Sequence, residues 1–426
     1  MPFDPLAPPD PLSDRAKPLT SMFTRRFANL AYRFLPRKTP DLDSLSRRIL
    51  LPALPISDEE LARATHQDKG QKLARQEQWE ELAELIEYAD SARLRTPGGE
   101  AATSLLAYGA RADIVCAAED ALHDGAEPDP SGIEALETIA TELPDCYPVA
   151  LVLAHAHVDI GLAWRTTAKD PRTSVHELRF LEHFRRAEDL LAPFDGSDLD
   201  APSLAAAQCA LLAARPTPRM RVADDYATLI DLDPDTPRHM RALGEALLPS
   251  RYGDYDSLDL EARRTAARTQ EVWGAGGYAW VYFDALAHDR GALARLETEF
   301  FIDGLRDIAA RRNNQHVINQ LAAFCGLVMA PAPGKAALPA DLETSRARIQ
   351  DCLDWLLETQ LQELHPLIWS QTLLRPGLTP ALPSRRALIA RGRQAALQVI
   401  AARFAEEIAD GTSIAFSSAG MYRLPA

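Results

Sequence analysis

Helical periodicity is the feature that most constrains this sequence. Apolar residues recur every three or four positions over long segments, and short polar turns separate these segments. In the segment 76–89, one helical face carries Trp79, Leu82, Leu85 and Ile86. Ser57 followed by Glu60 is a capping box, which predicts the start of another helix. Strands require a period of two, so this spacing predicts an all-α chain of stacked antiparallel helical hairpins.

Length and charge limit the classes of protein further. A chain of 426 residues is longer than one hydrophobic core usually supports, so several domains or a layered array are expected. Alanine, leucine and arginine dominate the composition, which favours helices over sheets. The net charge of −15 argues against a nucleic-acid or anionic-membrane partner for the body of the protein. Residues 1–50 contain nine Lys/Arg and five Asp, a local charge of +4, so the rest carries −19.

Cysteine spacing and apolar runs predict a cytoplasmic protein. The cysteines show no CxxC or other paired spacing, which is typical of reduced, buried thiols. They are Cys116, Cys146, Cys209, Cys325 and Cys352. Prolines near the N-terminus occupy positions where a secretory signal needs an apolar run. The longest apolar stretch, 147–164, is interrupted by His155, His157 and Asp159, so it does not predict a membrane span.

The N-terminal 50 residues form a separate predicted unit, a proline-rich and basic arm. Its first 20 residues are rich in proline and aspartate, which predicts an extended chain. The segment 22–35 then has apolar side chains at helical spacing. They are Met22, Phe23, Phe27, Leu30, Ala31, Phe34 and Leu35. Such an amphipathic helix can pack on the protein's own body, dock on a partner or lie on a membrane surface, and all three possibilities stay open.

The stretch 201–248 carries the most specific pattern of the chain. One set of residues has the spacing of the second helix and terminal proline of a repeat: Tyr226, Leu229, Leu232 and Pro234. A second set continues the register at first-helix positions: Met240, Leu243, Gly244 and Leu247. Gly244 allows two helices to approach closely, and Pro234 ends one helix before the next begins. This stretch resembles a tetratricopeptide repeat, and the resemblance implies an α-solenoid fold.

The repeat spacing stops after Leu248, and the segments beyond it complete the predicted domain organisation. The segment 249–286 resembles part of a bacterial group of tetratricopeptide-like proteins to which no activity is assigned, so the resemblance implies only a fold. The motif APAPG at 330–334 predicts a linker. The predicted units are the arm at 1–50, a helical repeat domain at 51–330, a linker at 331–340 and a C-terminal helical segment at 341–426.

The apparent metal and catalytic motifs lack the spacing that their chemistry needs. His155 and His157 form an HxH pair close to Asp159, as in metal-dependent barrel hydrolases. On a helix, however, His155 and His157 point roughly 200° apart and cannot share a metal ion. The sequence contains no ExxH or HExxH spacing and no complete P-loop, EF-hand loop or GxSxG elbow. We therefore predict no cofactor, no metal site and no catalytic residue.

An aromatic-rich stretch at 251–282 offers the remaining candidate site. Its side chains can form the core between consecutive helices, or they can line a recognition pocket beside the register break. The candidate binding surface consists of Arg251, Tyr252, Asp254, Tyr255, Trp273, Tyr278 and Trp280.

The sequence predicts a non-enzymatic helical-repeat scaffold or sensor that binds a protein or peptide partner, since stacked hairpins form a concave groove. The acidic body favours a partner of basic character. Two alternatives stay open: an enzyme with a small-molecule site between the helices of 251–282, or a membrane-peripheral adaptor that docks through residues 22–35. A closed pocket with a titratable group at 251–282 favours the enzyme, whereas aromatic side chains spread through the core favour the scaffold.

Overall fold

Helices dominate the structure, which is a computed structural model. The described residues are 42–54, 56–168, 174–331, 338–374 and 383–425, without the side chains of 42–44 and 174. The predicted helix at 22–35 lies outside them, as does most of the predicted linker. Helices account for 72% of the structure and the strands are few and short, which confirms the prediction of an all-α protein.

Nineteen α-helices occur among the described residues. Those of the first half are α1 (Leu42–Arg48), α2 (Asp58–Arg75), α3 (Trp79–Ser91), α4 (Ala102–His123), α5 (Ser131–Glu142), α6 (Tyr147–Thr167), α7 (Ser174–Leu191), α8 (Pro202–Leu211) and α9 (Val222–Leu232). Those of the second half are α10 (Pro237–Ala246), α11 (Tyr255–Arg268), α12 (Gln270–Trp273), α13 (Gly276–His288), α14 (Thr298–Arg311), α15 (Gln315–Ala323), α16 (Ala340–Trp355), α17 (Pro366–Thr372), α18 (Arg385–Arg403) and α19 (Ala405–Ala409). Short 3-10 turns occur at Leu212–Ala214, Pro218–Met220 and Arg290–Ala294, and π-helical turns extend α15 and α16 at Phe324–Val328 and Leu356–Gln360.

A small sheet joins the two ends of the described chain, and none of the sequence patterns predicts it. Its strands are β1 (Ile49–Leu50), β2 (Ser413–Ser417) and β3 (Gly420–Leu424), in the order β1-β2-β3. β2 and β3 are antiparallel, and β1 pairs in parallel with β2, Ile49 opposite Ile414. Buried and half-buried residues alternate along β2, so Ile414 and Phe416 enter the core. The alternation extends over only five residues, so it does not stand out against the helical periodicity of the rest of the sequence.

Side-chain caps start several helices, and one of these caps is predicted from the sequence. The Ser57 side chain accepts from the Glu60 N–H, and the Glu60 carboxylate accepts from the Ser57 N–H, which confirms the capping box. The Ser384 side chain likewise accepts from the Ala387 N–H. α5 lacks such a cap: Ser131 is its first helical residue, and no side-chain cap bond is made at this helix start. A cap of this kind typically contributes about 1 kcal/mol.

Several helix pairs with extensive contact skip one or two helices in sequence. In the first half, α2 packs along α4 and α4 along α6, so these three form a continuous layer, and α7 packs on α6. In the second half, α10 packs along α13, which also contacts α11 and α14. Among the described residues, only α6 is long and apolar enough to cross a bilayer, and 78% of its apolar window is buried inside the protein. Its apolar character is therefore accounted for by its place in the core.

The repeat-like stretch has the helix boundaries that its pattern predicts. α9 ends at Leu232, just before Pro234, and α10 begins at Pro237. A Cβ atom added to Gly244 would lie 1.7 Å from the carbonyl oxygen of Val281, so this glycine does permit a close helix approach. The helix that approaches is α13, from beyond the register break. The solenoid arrangement itself stays a prediction.

Two large apolar clusters form the core of the described residues. One lies among α2 to α8 and includes Leu82 and Phe180. The other extends from Leu45 on α1 to Phe416 on β2 and joins side chains on both sides of the predicted linker at 331–340. The apolar core therefore continues past that segment, because α15 and the helices after it pack on each other.

Candidate functional site

Three members of the predicted binding surface are buried, so a partner cannot contact them. Trp273, Tyr278 and Trp280 are at most 1% exposed. The indole N–H of Trp273 donates to the carbonyl oxygen of Pro234 at 2.8 Å. The Tyr278 hydroxyl donates to Asp259 at 2.7 Å. These contacts correct the predicted surface: the three rings are core side chains between helices, and their polar atoms, except the Trp280 N–H, are bonded internally.

The other four predicted residues have local structural contacts. Arg251 pairs with Glu245 at 2.8 Å, and the Tyr255 hydroxyl donates to Asp289 at 2.6 Å. Asp254 caps α11 by accepting from the Ser257 N–H at 2.8 Å, and it also pairs with Arg219. Tyr252 is half-buried against the second apolar cluster. The stretch 251–282 therefore does not bring these side chains together around a shared cavity.

The HxH pair is divided between two environments, as its helical spacing predicts. His157 is buried, and its Nε2 lies 3.0 Å from Glu137 Oε1 while its Nδ1 lies 2.9 Å from His183 Nδ1. Asp159 accepts from Arg111 at 2.7 Å. The described residues contain no group of three His, Cys, Asp or Glu side chains arranged for a metal ion. The His157–His183 contact requires that one ring be neutral and accept the proton of the other.

This histidine pair predicts a stability that falls in mild acid. Burial, then the charges of His157 and Arg179, lower the pKa of His183 from 6.5 to about 4, and burial also lowers the pKa of His157. Between about pH 6.5 and 4, the unfolded chain therefore binds protons that the folded histidine pair does not bind. The free energy of unfolding is at its full value above pH 6.5 and decreases as the pH falls through that range. The charged groups facing the pair are Glu137, Arg179, Glu182 and Arg186.

We expect His183→Gln to reduce the loss of unfolding free energy between pH 7 and pH 4.5, measured by urea unfolding. The control is His66→Gln, at a half-buried position of α2 whose side chain makes no hydrogen bond among the described residues. An identical pH slope in His183→Gln and the unaltered protein would contradict this account.

A cavity of about 260 Å³ opens between α4 and α6. Its lining combines charged and polar side chains with a few apolar ones: Glu119, His123, Asp159, Leu162, Ala163, Thr166 and Thr167. Burial and the nearby charge of Asp159 raise the pKa of Glu119. The Thr166 and Thr167 hydroxyls donate to backbone carbonyl groups of their own helix, so their protons are not available to a ligand. This cavity offers two carboxylates but no converging set of donors.

Polar side chains from five helices come close enough to interact electrostatically. They are Arg63 of α2, Tyr108 of α4, His155 of α6, Arg238 of α10 and His316 of α15. We call this cluster of side chains the central recess. Arg63 interacts electrostatically with Arg238, Tyr108 and His316, and Arg238 interacts with His155. Glu100, which precedes α4, links two of them because its two oxygens accept from Arg63 and Arg238.

The two arginines of the central recess are reached by water yet enclosed by protein. The side chain of Arg238 is 68% exposed and that of Arg63 is 41% exposed. Nevertheless, burial and the charge of Arg241 lower the pKa of Arg238, and burial and the charge of Arg238 lower the pKa of Arg63 against the opposing charge of Glu59. Solvent access together with desolvation is expected of a side chain on the floor of a concave surface. If only their accessible area were considered, Arg63 and Arg238 would resemble ordinary surface arginines.

The two histidines of the central recess are neutral at pH 7. Burial, followed by the charges of Arg111 and Arg238, lowers the pKa of His155 to about 3. Burial also lowers the pKa of His316 to about 3, with contributions from His365, Arg241 and Arg63. Each neutral ring has one N–H donor and one acceptor nitrogen. They therefore add hydrogen-bonding capacity to the recess without adding charge.

Most hydrogen-bonding groups of the central recess have no protein partner within the described residues. The ring of His155 and the hydroxyl of Tyr108 make no hydrogen bond there, and Arg63 and Arg238 bond only to Glu100. His155 and Arg63 are half-buried, whereas Tyr108 and Arg238 are exposed, so these groups are left to solvent. Their convergence from separate helices makes the cluster a candidate ligand site. No local pattern in the sequence points to this site, since its members are spread from position 63 to position 316.

No protein-family model, no curated protein and no solved structure matches this chain.

Proposed function

We propose that this protein is a non-enzymatic helical-repeat scaffold that binds a peptide segment of a partner protein in the central recess. One observation carries the proposal: side chains from five helices converge there, and the hydrogen-bonding groups of four are mostly left to solvent. A peptide has backbone donors and acceptors throughout its length, so it can replace the water on these groups.

The packing of the helices supports the same proposal. The layer of α2, α4 and α6 and the helices α10 and α15 hold the recess residues on rigid elements, so little backbone conformational entropy is lost when a ligand binds. The resemblance of 201–248 to a tetratricopeptide repeat also implies a concave ligand surface.

The two alternative functions have less support. The enzyme alternative required a closed pocket with a titratable group at 251–282, but the large aromatic rings of that stretch are core side chains. The membrane-adaptor alternative depends on residues 22–35, which lie outside the described residues, so it stays a prediction.

Site-specific photo-crosslinking in cells of the source organism tests the proposal. The photoreactive residue benzoylphenylalanine replaces Tyr108 in the recess, where the side chain is 47% exposed, or Tyr88 on α3, where it is 60% exposed. We expect a discrete adduct with a second protein from position 108 and not from position 88. Adding Arg238→Ala should reduce the yield of that adduct roughly tenfold, since a hydrogen-bonded interface arginine contributes about 1–3 kcal/mol.

A matched control separates this result from a general effect of removing charge. Arg306 on α14 is 61% exposed and pairs with Asp303, so Arg306→Ala removes a comparable arginine outside the recess. Adducts that form equally from positions 88 and 108, or that survive Arg238→Ala, would overturn the proposal. The absence of any protein adduct from position 108 would overturn it as well.

A further inference from the structure

The small sheet has an exposed apolar face. Its register places Leu50, Ala415 and Tyr422 side by side on β1, β2 and β3. Leu424 lies on the same face of β3, because side chains alternate along a strand. Leu50 is 45% exposed, Tyr422 46% and Leu424 41%, whereas Ile414 on the opposite face of β2 is buried. We call the side formed by Leu50, Ala415, Tyr422 and Leu424 the outer sheet face.

Small side chains lie in the middle of the outer sheet face. Ser413, Ala415 and Ser417 occupy this face of β2, while the side chains of Leu50 on β1 and Tyr422 on β3 are larger. The middle strand is therefore lower than its two neighbours, and the face forms a shallow groove along β2. A strand of five residues is about 17 Å long, which sets the length of the groove. Exposed apolar patches of this kind are typical of contact surfaces.

The sequence supplies an apolar helix face of matching size. The segment 22–35, which lies outside the described residues, has its apolar side chains at helical spacing. A helix of its fourteen residues is about 21 Å long, close to the length of the groove. An amphipathic helix is stabilised mainly when its apolar stripe is buried against another surface, so this segment needs such a surface.

The connection between the segment 22–35 and the sheet is short. Only residues 36–41 separate the segment from α1, and α1 leads directly into β1. Even fully extended, the chain from Leu35 to Leu42 spans at most about 25 Å. The segment therefore stays near the sheet of its own chain. Its high effective concentration there favours a contact within the chain over a contact with a second molecule.

Charges at one end of the sheet complement those of the segment. Glu406 on α19 and Asp410 after it come just before the start of β2, and both are exposed. Neither forms an ion pair within the described part of the chain. Arg25, Arg26 and Arg33 lie off the apolar stripe of the segment. Exposed ion pairs contribute little free energy, but opposite charges at one end favour one orientation of a docked helix.

From these observations we propose that the predicted amphipathic helix at 22–35 docks on the outer sheet face of its own chain, with its apolar stripe in the groove along β2. This contact covers Leu50, Tyr422 and Leu424 and buries the stripe in the same step. The proposal selects one of the three possibilities that the sequence leaves open for the segment. It does not depend on what the central recess binds.

Photo-crosslinking within the purified full chain tests the proposal. Benzoylphenylalanine replaces either Phe27, on the apolar stripe, or Arg25, on the opposite side of the predicted helix. We expect position 27 to crosslink to the peptide 413–424, and position 25 not to do so. The reaction is carried out on an equal mixture of unlabelled and isotope-labelled protein. A contact within one chain joins two peptides that carry the same label.

Two variants of the outer sheet face and one control locate the contact. Leu50→Glu and Tyr422→Glu should each lower the yield of this crosslink at least roughly tenfold, because a charge is then placed in an apolar contact. Leu181→Glu on α7 introduces the same charge at a position that is 44% exposed, and should leave the yield unchanged. Unfolding midpoints are measured for all three variants. All three side chains are exposed, so we expect these midpoints to stay near that of the unaltered protein.

Other occupants of the outer sheet face or of the helix give different results. Peptide pairs with mixed labels indicate a second copy of the chain and overturn the proposal. Vesicles of phosphatidylcholine and phosphatidylglycerol should leave the crosslink unchanged; its replacement by a lipid adduct overturns the proposal in favour of a membrane contact. Equal crosslinking from positions 25 and 27, no crosslink to 413–424, or a yield that survives Tyr422→Glu in a folded variant overturns it as well.

Discussion

Replacing Gly244 by alanine is expected to lower the free energy of unfolding by about 3 kcal/mol. The added Cβ would lie 1.7 Å from the carbonyl oxygen of Val281, and this neighbour is backbone in the middle of α13. Neither helix can yield locally, so α10 and α13 must move apart and open gaps among the buried side chains around Met240 and Trp280. The better helix propensity of alanine, about 1 kcal/mol, offsets only part of this cost.

Gly132→Ala is the matched control for this substitution. Gly132 is also helical, on α5, but an added Cβ would meet only the Ile114 side chain, at 3.2 Å. A flexible side chain can move by a few tenths of an ångström, so we expect a change within about 1 kcal/mol. Urea and thermal unfolding, followed by circular dichroism, give both values. Similar stability of Gly244→Ala and Gly132→Ala would show that α10 and α13 are not packed as described.

Replacing Asn319 by leucine should lower the free energy of unfolding by roughly 4 kcal/mol, since several buried polar groups lose their partners together. The Asn319 side chain is 0% exposed. Its amide N–H groups donate to the carbonyl oxygens of Gln315 and Glu363 at 2.8 and 2.9 Å. Its oxygen accepts from the His365 N–H at 3.0 Å and from the Trp369 indole at 2.9 Å. Leucine fills a similar space but satisfies none of these groups.

Two tryptophan substitutions test whether the hydrogen bonds, and not side-chain volume, cause this loss. Trp369 and Trp280 are both 0% exposed, but the indole N–H of Trp369 donates to Asn319, whereas that of Trp280 has no partner among the described residues. Replacement by phenylalanine removes similar volume at both positions. We therefore expect Trp369→Phe to cost about 1 kcal/mol more than Trp280→Phe. Equal costs, measured by urea unfolding, would show that the bonds of Asn319 contribute little.

Helices and their ends could be predicted because their signals are local. The capping box of Ser57 and Glu60 satisfies backbone N–H groups within one turn, so neighbouring residues alone specify it. The separation of His155 from His157 follows in the same way from the helical period. The hairpin of β2 and β3 was missed because each strand is only five residues long and its burial depends on contact with α1, β1 and distant helices.

The candidate site was predicted less well, since the same residue types have opposite roles in a core and on a surface. Nothing near Trp273 in sequence shows that its ring is covered or that Pro234 accepts its N–H. Likewise, nothing near Arg238 distinguishes it from Arg306, an exposed arginine with one ion pair. The difference lies in Arg63 and His155, which other helices bring close to Arg238.

The amino-acid order by itself determined that this chain is helical, where many helices begin and end, and that Gly244 sits at a close helix contact. Those properties depend on backbone hydrogen bonds and side-chain spacing over one to five turns. Tertiary structure alone decided that α13 is the helix against Gly244, that the aromatic rings are core, and that five distant polar side chains share one recess. Such contacts depend on which faces of remote helices meet, and that is set by the packing of the whole molecule.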